Sequence, residues 1–250
     1  PKPQTPNPKP QTPNPSIYNR MQANYYTPQP VQQVSPQAEQ LFNYALTLAT
    51  QPVGSDLELA AEGPNYKVYK KQLTDGQMLI RASASFPDIP VEDLAFMIFN
   101  DQFRAEYDNV FCNPQSIQRI DQNTDIYYFQ IDPPVPMVSK RDGVVQRTTF
   151  RGHRGIPYLV HMQSVEYPPL PPVDGIVRAH VHNQTRVITP GQNGLGSQMH
   201  MINHVDIGGS IPTFAINMMA SKGPLRSFDT IAKNYQQWKD QGKIGRGIGY

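Results

Sequence analysis

The sequence predicts an α+β fold, with helices segregated against a curved antiparallel sheet. Three observations carry this. Amphipathic helical stripes stand at both ends of the globular part of the chain. Strand-like segments fill most of the space between them. Gly/Pro turns separate those segments. The resulting order is helix, two strands, helices, six strands, helix, which suits a sheet with helices on one face or end.

Residues 1–35 stand apart. Ten of the 26 prolines fall within the first 36 residues, and PKPQTPN occurs at 1–7 and again at 8–14. Leu, Asp and Glu are missing from 1–35. Such a segment buries too little apolar surface to offset its ordering entropy, so a disordered or polyproline-II tail or linker is expected. It also carries the charge. Lys2, Lys9 and Arg20 stand there with no acid, so the remainder of the chain holds −1 of the total +2. A basic globular surface is not implied, and nucleic acid is not an expected partner.

Ser35-Pro36 opens a helix whose apolar face is Ala38, Leu41, Phe42, Ala45, Leu46 and Ala49. Gly54 to Gly63 reads as loop or poor helix. Strands follow at 66–73 and 78–86, joined through Thr74-Asp75-Gly76, a turn signal. Pro90 starts a second helix with Val91, Leu94, Ala95, Ile98 and Phe99 inward, continued by a short segment over 101–108. A hairpin comes next, 116–122 with 125–131. Strands at 142–150, 158–167, 175–189 and 197–207 complete the sheet. Two connectors, DPPVPMV at 132–138 and YPPLPPVD at 167–174, are apolar where solvated loops are usually polar. They leave Val135, Met137, Val138 and Leu170 for packing or membrane contact.

The C-terminal helix carries Ile211, Phe214, Ala215, Met218, Met219, Leu225, Phe228, Ala232, Tyr235 and Trp238 at helical spacing. Ser210 is its expected N-cap, with Pro212 in the first turn. Gly223-Pro224 is expected to kink it and divide it in two. A soft, methionine-containing face suits either core closure or the lid of an apolar cavity.

Cys112 is the one cysteine, which excludes an intrachain disulfide and a multi-cysteine zinc site. No apolar run has membrane-spanning length, and no signal-peptide pattern is present. A cytoplasmic, reducing setting is the expectation. No Gly-x-Ser-x-Gly elbow occurs, and GQNGLG at 191–196 lies between strands as a hairpin turn rather than a phosphate loop.

Arg104 and Asp108 are four apart on a helix and so can pair. His180 and His182 share one strand face, His200 and His204 share another, and His161 lies on the preceding strand. With Asp206 this set suggests an alternative, a metal-dependent β-barrel enzyme. A regulatory interaction domain without transfer activity is a third, minor reading that the proline/glutamine tail allows, since low-complexity prolines usually act as spacers.

Several strings resemble the START (StAR-related lipid-transfer) family. PVPMVSKRD at 134–142 resembles its proline-rich loop before a strand start. GIVR at 175–178 is similar to its Gly-Val-Ile-Arg start. VDIGGSIPTFAINMMASKGP at 205–224 resembles its ending, and FRAEYD at 103–108 its aromatic-Arg-x-x-Trp-Asp motif. Four motifs in the family's order, over about 36–238, make the resemblance specific. It is nearest to phosphatidylcholine-transfer-type members.

The resemblance implies a helix-grip fold, a curved sheet around the C-terminal helix with an internal lipid tunnel. It implies binding and transfer, or sensing, of one lipid, a phospholipid, without cofactor, metal or catalysis. The carrier is expected to be a monomer in transient contact with membranes, with a flexible tail at 239–250. Arg104 and Asp108 match the residues that meet a lipid phosphate in phospholipid-binding members. Arg147 matches a cavity-facing arginine that pairs with a glutamate in sterol-binding members. Phe111 to Pro114, the matching region here, has no acid, so Arg147 is left for a ligand phosphate or carboxylate. Phe129, Gly143 and His182 match choline-cage positions. The expected tunnel wall comprises Phe96, Phe99, Phe129, Val145, Val160, Met162, Met199 and Met201. Phe214 and Met218 belong to the lid, with the loop at 134–138 as the rest of the gate.

Overall fold

The computed structural model describes residues 34–73, 77–135, 138–209 and 211–244. The expected tail over 1–33, the turn at 74–76, Pro136-Met137 and Ser210 lie outside the described residues. So do residues 245–250.

Helix α1 spans Pro36–Thr50. Its N-terminus forms as the sequence predicts, because Ser35 Oγ accepts a hydrogen bond from the Ala38 N–H at 3.1 Å. The other end is held by a side chain remote in sequence. The Arg81 guanidinium donates to the carbonyls of Gln51 at 2.6 Å, Pro52 at 3.1 Å and Ala49 at 3.3 Å. These include carbonyls that a helix C-terminus leaves unpaired.

The sheet has ten strands: β1 (Glu58–Gly63), β2 (Tyr66–Gln72), β3 (Met78–Phe86), β4 (Phe111–Arg119), β5 (Thr124–Ile131), β6 (Arg141–His153), β7 (Ile156–Ser164), β8 (Val177–Arg178), β9 (His180–Pro190) and β10 (Ser197–Asp206). Their order is β1-β2-β3-β10-β9-β7-β6-β5-β4, and β8 adds to β6. Every pairing on that path is antiparallel; only β8 with β6 is parallel.

Three strands depart from the sequence expectation. β1 replaces the expected loop or poor helix, because pairing with β2 overrides the helix-forming residues of ELAAEG. β4 starts at Phe111 rather than Ser116. Pro114 and the positive φ of Asn113 hide it in the sequence, yet an edge strand with register breaks accommodates both. The expected strand at 175–189 divides into β8 and β9. At that junction the Ala179 N–H donates to the Asp142 carbonyl at 2.8 Å, and Arg178 grips the Asp142 carboxylate at 2.7 and 3.0 Å.

α1 lies against one face of the sheet, packing Phe42, Ala45 and Ala49 on Phe150, Leu159 and Val187. Strand alternation puts Val160, Met162, Arg186 and Ile188 on the opposite face. That face receives α2 (Val91–Phe99), α3 (Asp101–Tyr107) and α4 (Thr213–Asp240). Its core joins Leu94, Met97 and Ile98 of α2 to Phe228, Ile231, Tyr235 and Trp238 of α4. Tyr235 donates its hydroxyl to Asp93 at 2.7 Å. This is the helix-grip arrangement.

α4 runs continuously through Gly223-Pro224, so the expected division there does not occur. Ser221 Oγ bonds the Asn217 carbonyl at 2.8 Å, one turn before the proline. Pro212 is the N-cap rather than a first-turn residue. Ile231 is buried in place of Ala232, which is exposed. Residues 239–244 are not a free tail: the Lys243 N–H donates to the Trp238 carbonyl at 2.9 Å, and Ile244 is buried in the core.

Candidate functional site

A cavity of ≈ 600 Å³ lies between α4 and the concave face of β3, β9 and β10. Its size suits a small-molecule or lipid site. Met78, Ile80, Met199, Met201 and Val205 form the sheet wall. Ile216, Met218, Met219 and Phe228 face it from α4, and Pro133, Pro134 and Val135 close one side.

Polar groups enter this apolar space from two directions. Arg104 on α3 reaches Asp108 through Nε at 3.2 Å and Nη2 at 3.1 Å. Its guanidinium lies 3.8 Å from the centroid of Phe111. The short α3 is positioned by Asn100, whose side chain accepts from the Phe103 N–H at 2.8 Å. Tyr107 beside them donates its hydroxyl to the Met97 carbonyl at 2.7 Å, and burial pushes its pKa up to about 12. From the sheet, Gln184 and Arg186 of β9 and Asn203 of β10 line the cavity. Gln184 is the cross-strand partner of Asn203, and Arg186 that of Met201.

Arg186 is the residue that sequence reasoning missed. Its side chain is buried, yet among the described residues it makes no salt bridge or side-chain hydrogen bond. Burial, and secondarily the charge of Arg104, push its pKa down to about 9, which leaves it charged at neutral pH. The available signal was alternation: Arg186 shares a strand face with Ile188, in a strand otherwise rich in apolar and β-branched residues.

Of the expected wall and lid, Met199, Met201 and Met218 line the cavity. Phe129, Val145, Val160 and Met162 do not. With Phe111, Tyr127 and Val181 they form a filled cluster on the concave face. The Phe129 ring occupies the space over Gly143, 2.6 Å from where a Cβ would stand, so these two positions form no open cage. Phe96 and Phe99 pack beside the main core, against Phe103 and Tyr158 respectively. Phe214 is 65% exposed and does not line the cavity.

His182 is also outside. A register shift between His204 and Val205 inserts an extra residue in β9 opposite β10. The bulge groups His182 with His180 and His204, at ring centroid distances of 4.5 and 4.4 Å. His161 bonds Thr185 Oγ1 on the α1 side at 2.9 Å. The histidines therefore do not converge as the metal alternative requires. Among the described residues no group of three or more His, Cys, Asp or Glu side chains has metal-holding geometry.

Arg147 has partners that the sequence reading did not assign. Asp125 receives Nε at 3.0 Å and Nη2 at 2.7 Å, and Asp101 receives Nη1 at 2.9 Å. The Tyr127 ring lies 3.7 Å from the guanidinium, and the Tyr127 hydroxyl donates to Asp101 at 2.7 Å. Asp125 is cross-strand from Arg147, and Asp101 comes from α3. The expected ligand-facing arginine is thus the centre of a satisfied buried network. Burial alone would lower its pKa; the Asp125 hydrogen bonds and both carboxylate charges override this and raise it. Cys112 is half-buried, and burial raises its thiol pKa, away from a reactive thiolate.

A START domain family model matches residues 57–239. START domain-containing protein 10 of Mus musculus and that of Homo sapiens are each 24% identical over 193 residues, or 76% of this chain. The chain spans 65% of the length of these curated relatives. Among solved structures, human StAR-related lipid transfer protein 5 superposes with a TM-score of 0.68 at 18% identity, over 90% of this chain and 99% of that one. Human STARD10 superposes with a TM-score of 0.66 at 20% identity, over 84% of each chain. The family match spans most of the chain, and the large antiparallel sheet with its C-terminal helix agrees with it: the chain belongs to the START domain family.

Proposed function

We propose that the domain binds one phospholipid in the cavity beneath α4 and moves it between membranes. The observation that carries this is the pairing of a largely apolar cavity with a polar end built on the Arg104–Asp108 ion pair. Acyl chains leave water favourably at roughly 0.8 kcal/mol per buried CH₂. A guanidinium fork offers phosphate oxygens two parallel hydrogen bonds, and Asp108 holds that fork in orientation. Two structural neighbours, human StAR-related lipid transfer protein 5 and the human StarD13 lipid transfer and protein localization domain, support the same reading by what they are called.

α4 and the loop around Pro133–Val135 form the gate in this reading. Phe214, exposed at the N-terminal end of α4, supplies an apolar contact to the membrane, and the carrier acts as a monomer in the cytoplasm. No helix among the described residues is long and apolar enough to cross a membrane.

The test is native mass spectrometry of the purified domain after lipid extraction, combined with phospholipid transfer between donor and acceptor vesicles. A single bound phospholipid and transfer above background are expected. Arg104→Ala should change headgroup selectivity. Lipid-free protein with background transfer would end the carrier reading; unchanged selectivity would end the role of Arg104.

A further inference from the structure

Arg186 is the unusual charge in this fold. The other buried or half-buried arginines on the concave face or in the sheet are paired. Arg81 closes α1, Arg178 grips Asp142, and Arg147 holds two aspartates. Arg141 donates to the carbonyls of Ser139, Ile207 and Gly208. Arg186, 9% exposed, has no such partner among the described residues and lines the cavity. An unpaired buried cation is costly, so a site that retains one is built for an anion that arrives with the ligand.

A second observation stands beside it. Asn203 Oδ1 is buried without a hydrogen-bond partner, and Asn203 lines the same cavity. Its amide is the cross-strand neighbour of Gln184. As it stands, Oδ1 can accept from a headgroup hydroxyl; with the amide flipped, Nδ2 donates to a phosphate-ester or glycerol-ester oxygen. The balance of charge is a third. Arg104, Arg186, Lys222 and Arg226 line the cavity and its mouth, against Asp108 as the one carboxylate among the described lining residues. The chain beyond the N-terminal tail is close to neutral, so this concentration of positive charge is local. Low-dielectric walls focus such a field. Asp108 is already engaged by Arg104, so no carboxylate remains to receive a headgroup cation. The aromatic positions expected for a choline cage are filled by Phe129 or displaced with His182.

Resting on the phospholipid reading, we infer that the cavity selects a phospholipid of net negative charge, and that Arg186 is the residue that selects it. Arg104 and Arg186 take the phosphate together, while Asn203 and Gln184 bond the neighbouring ester or glycerol oxygens. Lys222 and Arg226 draw the headgroup toward the mouth. Arg104 is already balanced by Asp108, so the single phosphate charge of either lipid offsets Arg186; what a zwitterionic lipid adds is a headgroup cation that meets Arg186, Lys222 and Arg226 and no free carboxylate.

The experiment incubates the full chain with vesicles of equal phosphatidylcholine and phosphatidylglycerol, then identifies bound lipid by native mass spectrometry. A parallel incubation uses oleate alone, to separate a phospholipid from a simple carboxylate. Wild type should load phosphatidylglycerol at least tenfold over phosphatidylcholine. Arg186→Gln should bring that ratio to within about twofold, and Arg186→Lys should retain part of the preference. Thermal melting gives an independent readout: Arg186→Gln should raise the melting temperature of the lipid-free protein, because it removes an unpaired buried charge. Equal or preferred loading of phosphatidylcholine by wild type overturns the inference and leaves the phospholipid reading standing. So does a preference that Arg186→Gln leaves unchanged. Loading of oleate with neither phospholipid, or of no lipid, overturns both.

Discussion

Replacing Arg147 by methionine separates a structural arginine from a ligand-binding one. The side chain is 18% exposed and holds Asp125, 5% exposed, through two hydrogen bonds and Asp101, 29% exposed, through one. Methionine keeps much of the apolar stem and removes the cation. Asp125 is then a buried carboxylate with only the Ser116 hydroxyl, at 2.6 Å, as a side-chain partner. Breaking a buried pair in this way costs about 3–5 kcal/mol. Asp101 is partly solvated and recovers some hydration, so the lower end applies, about 3 kcal/mol. For a domain of this size each kcal/mol lowers the melting temperature by roughly 2–4 °C, giving a loss of about 6–12 °C. Urea denaturation at pH 7 of wild type, Arg147→Met, Asp125→Asn and the double variant measures the coupling directly. The double variant should lose much less than the sum of the two singles. A loss below about 1 kcal/mol, the scale of an exposed ion pair, would refute the account, especially if lipid loading fell at the same time. That pattern belongs to a ligand anchor.

Acid should act through the same network. Burial alone would raise the Asp125 pKa, but the hydrogen bonds of Arg147 and Ser116 more than offset this and hold it below its ordinary value. A depressed carboxylate contributes stability above the unfolded pKa of about 3.9 and loses it as pH falls through the folded value. Urea midpoints should therefore drop below about pH 4, and less so in Asp125→Asn. His161 adds a loss at higher pH. Burial lowers its pKa to about 4, so the neutral ring is favoured in the fold, and its contribution falls as pH drops from about 6.5 toward 4, by up to about 1.4 kcal/mol per unit. His161→Gln should flatten that limb of the stability profile. Gly143→Ala should destabilise by about 1–3 kcal/mol, since its Cβ would stand 2.6 Å from the Phe129 ring; chemical denaturation reads this. Phe214→Ser should change stability by less than about 0.5 kcal/mol, because the ring is exposed, while slowing vesicle-to-vesicle transfer severalfold in a fluorescence assay.

Local pattern determined most of the secondary structure. Although Arg81 holds its far end, Ser35 with the 3.6-residue stripe of Phe42, Ala45 and Ala49 marks α1 in the sequence. The same holds for Val91, Leu94, Ala95 and Ile98 in α2, and for Phe228, Tyr235 and Trp238 in α4. Arg104 and Asp108 were legible because their pairing is an i, i+4 contact within one short helix, and their cavity-facing position came from the motif around them. Tertiary structure decided what depends on register and on remote partners. β1 and β4 exist because a neighbouring strand pairs them against their own propensity. His182 left the cavity because one bulge reversed its face, and period-two side chains make any such slip total. Arg147 found Asp101 and Asp125 far away in sequence. Arg186 became an unpaired charge inside an apolar wall only when β7, β10 and α3 closed around it, since burial and the absence of a partner are properties of three dimensions.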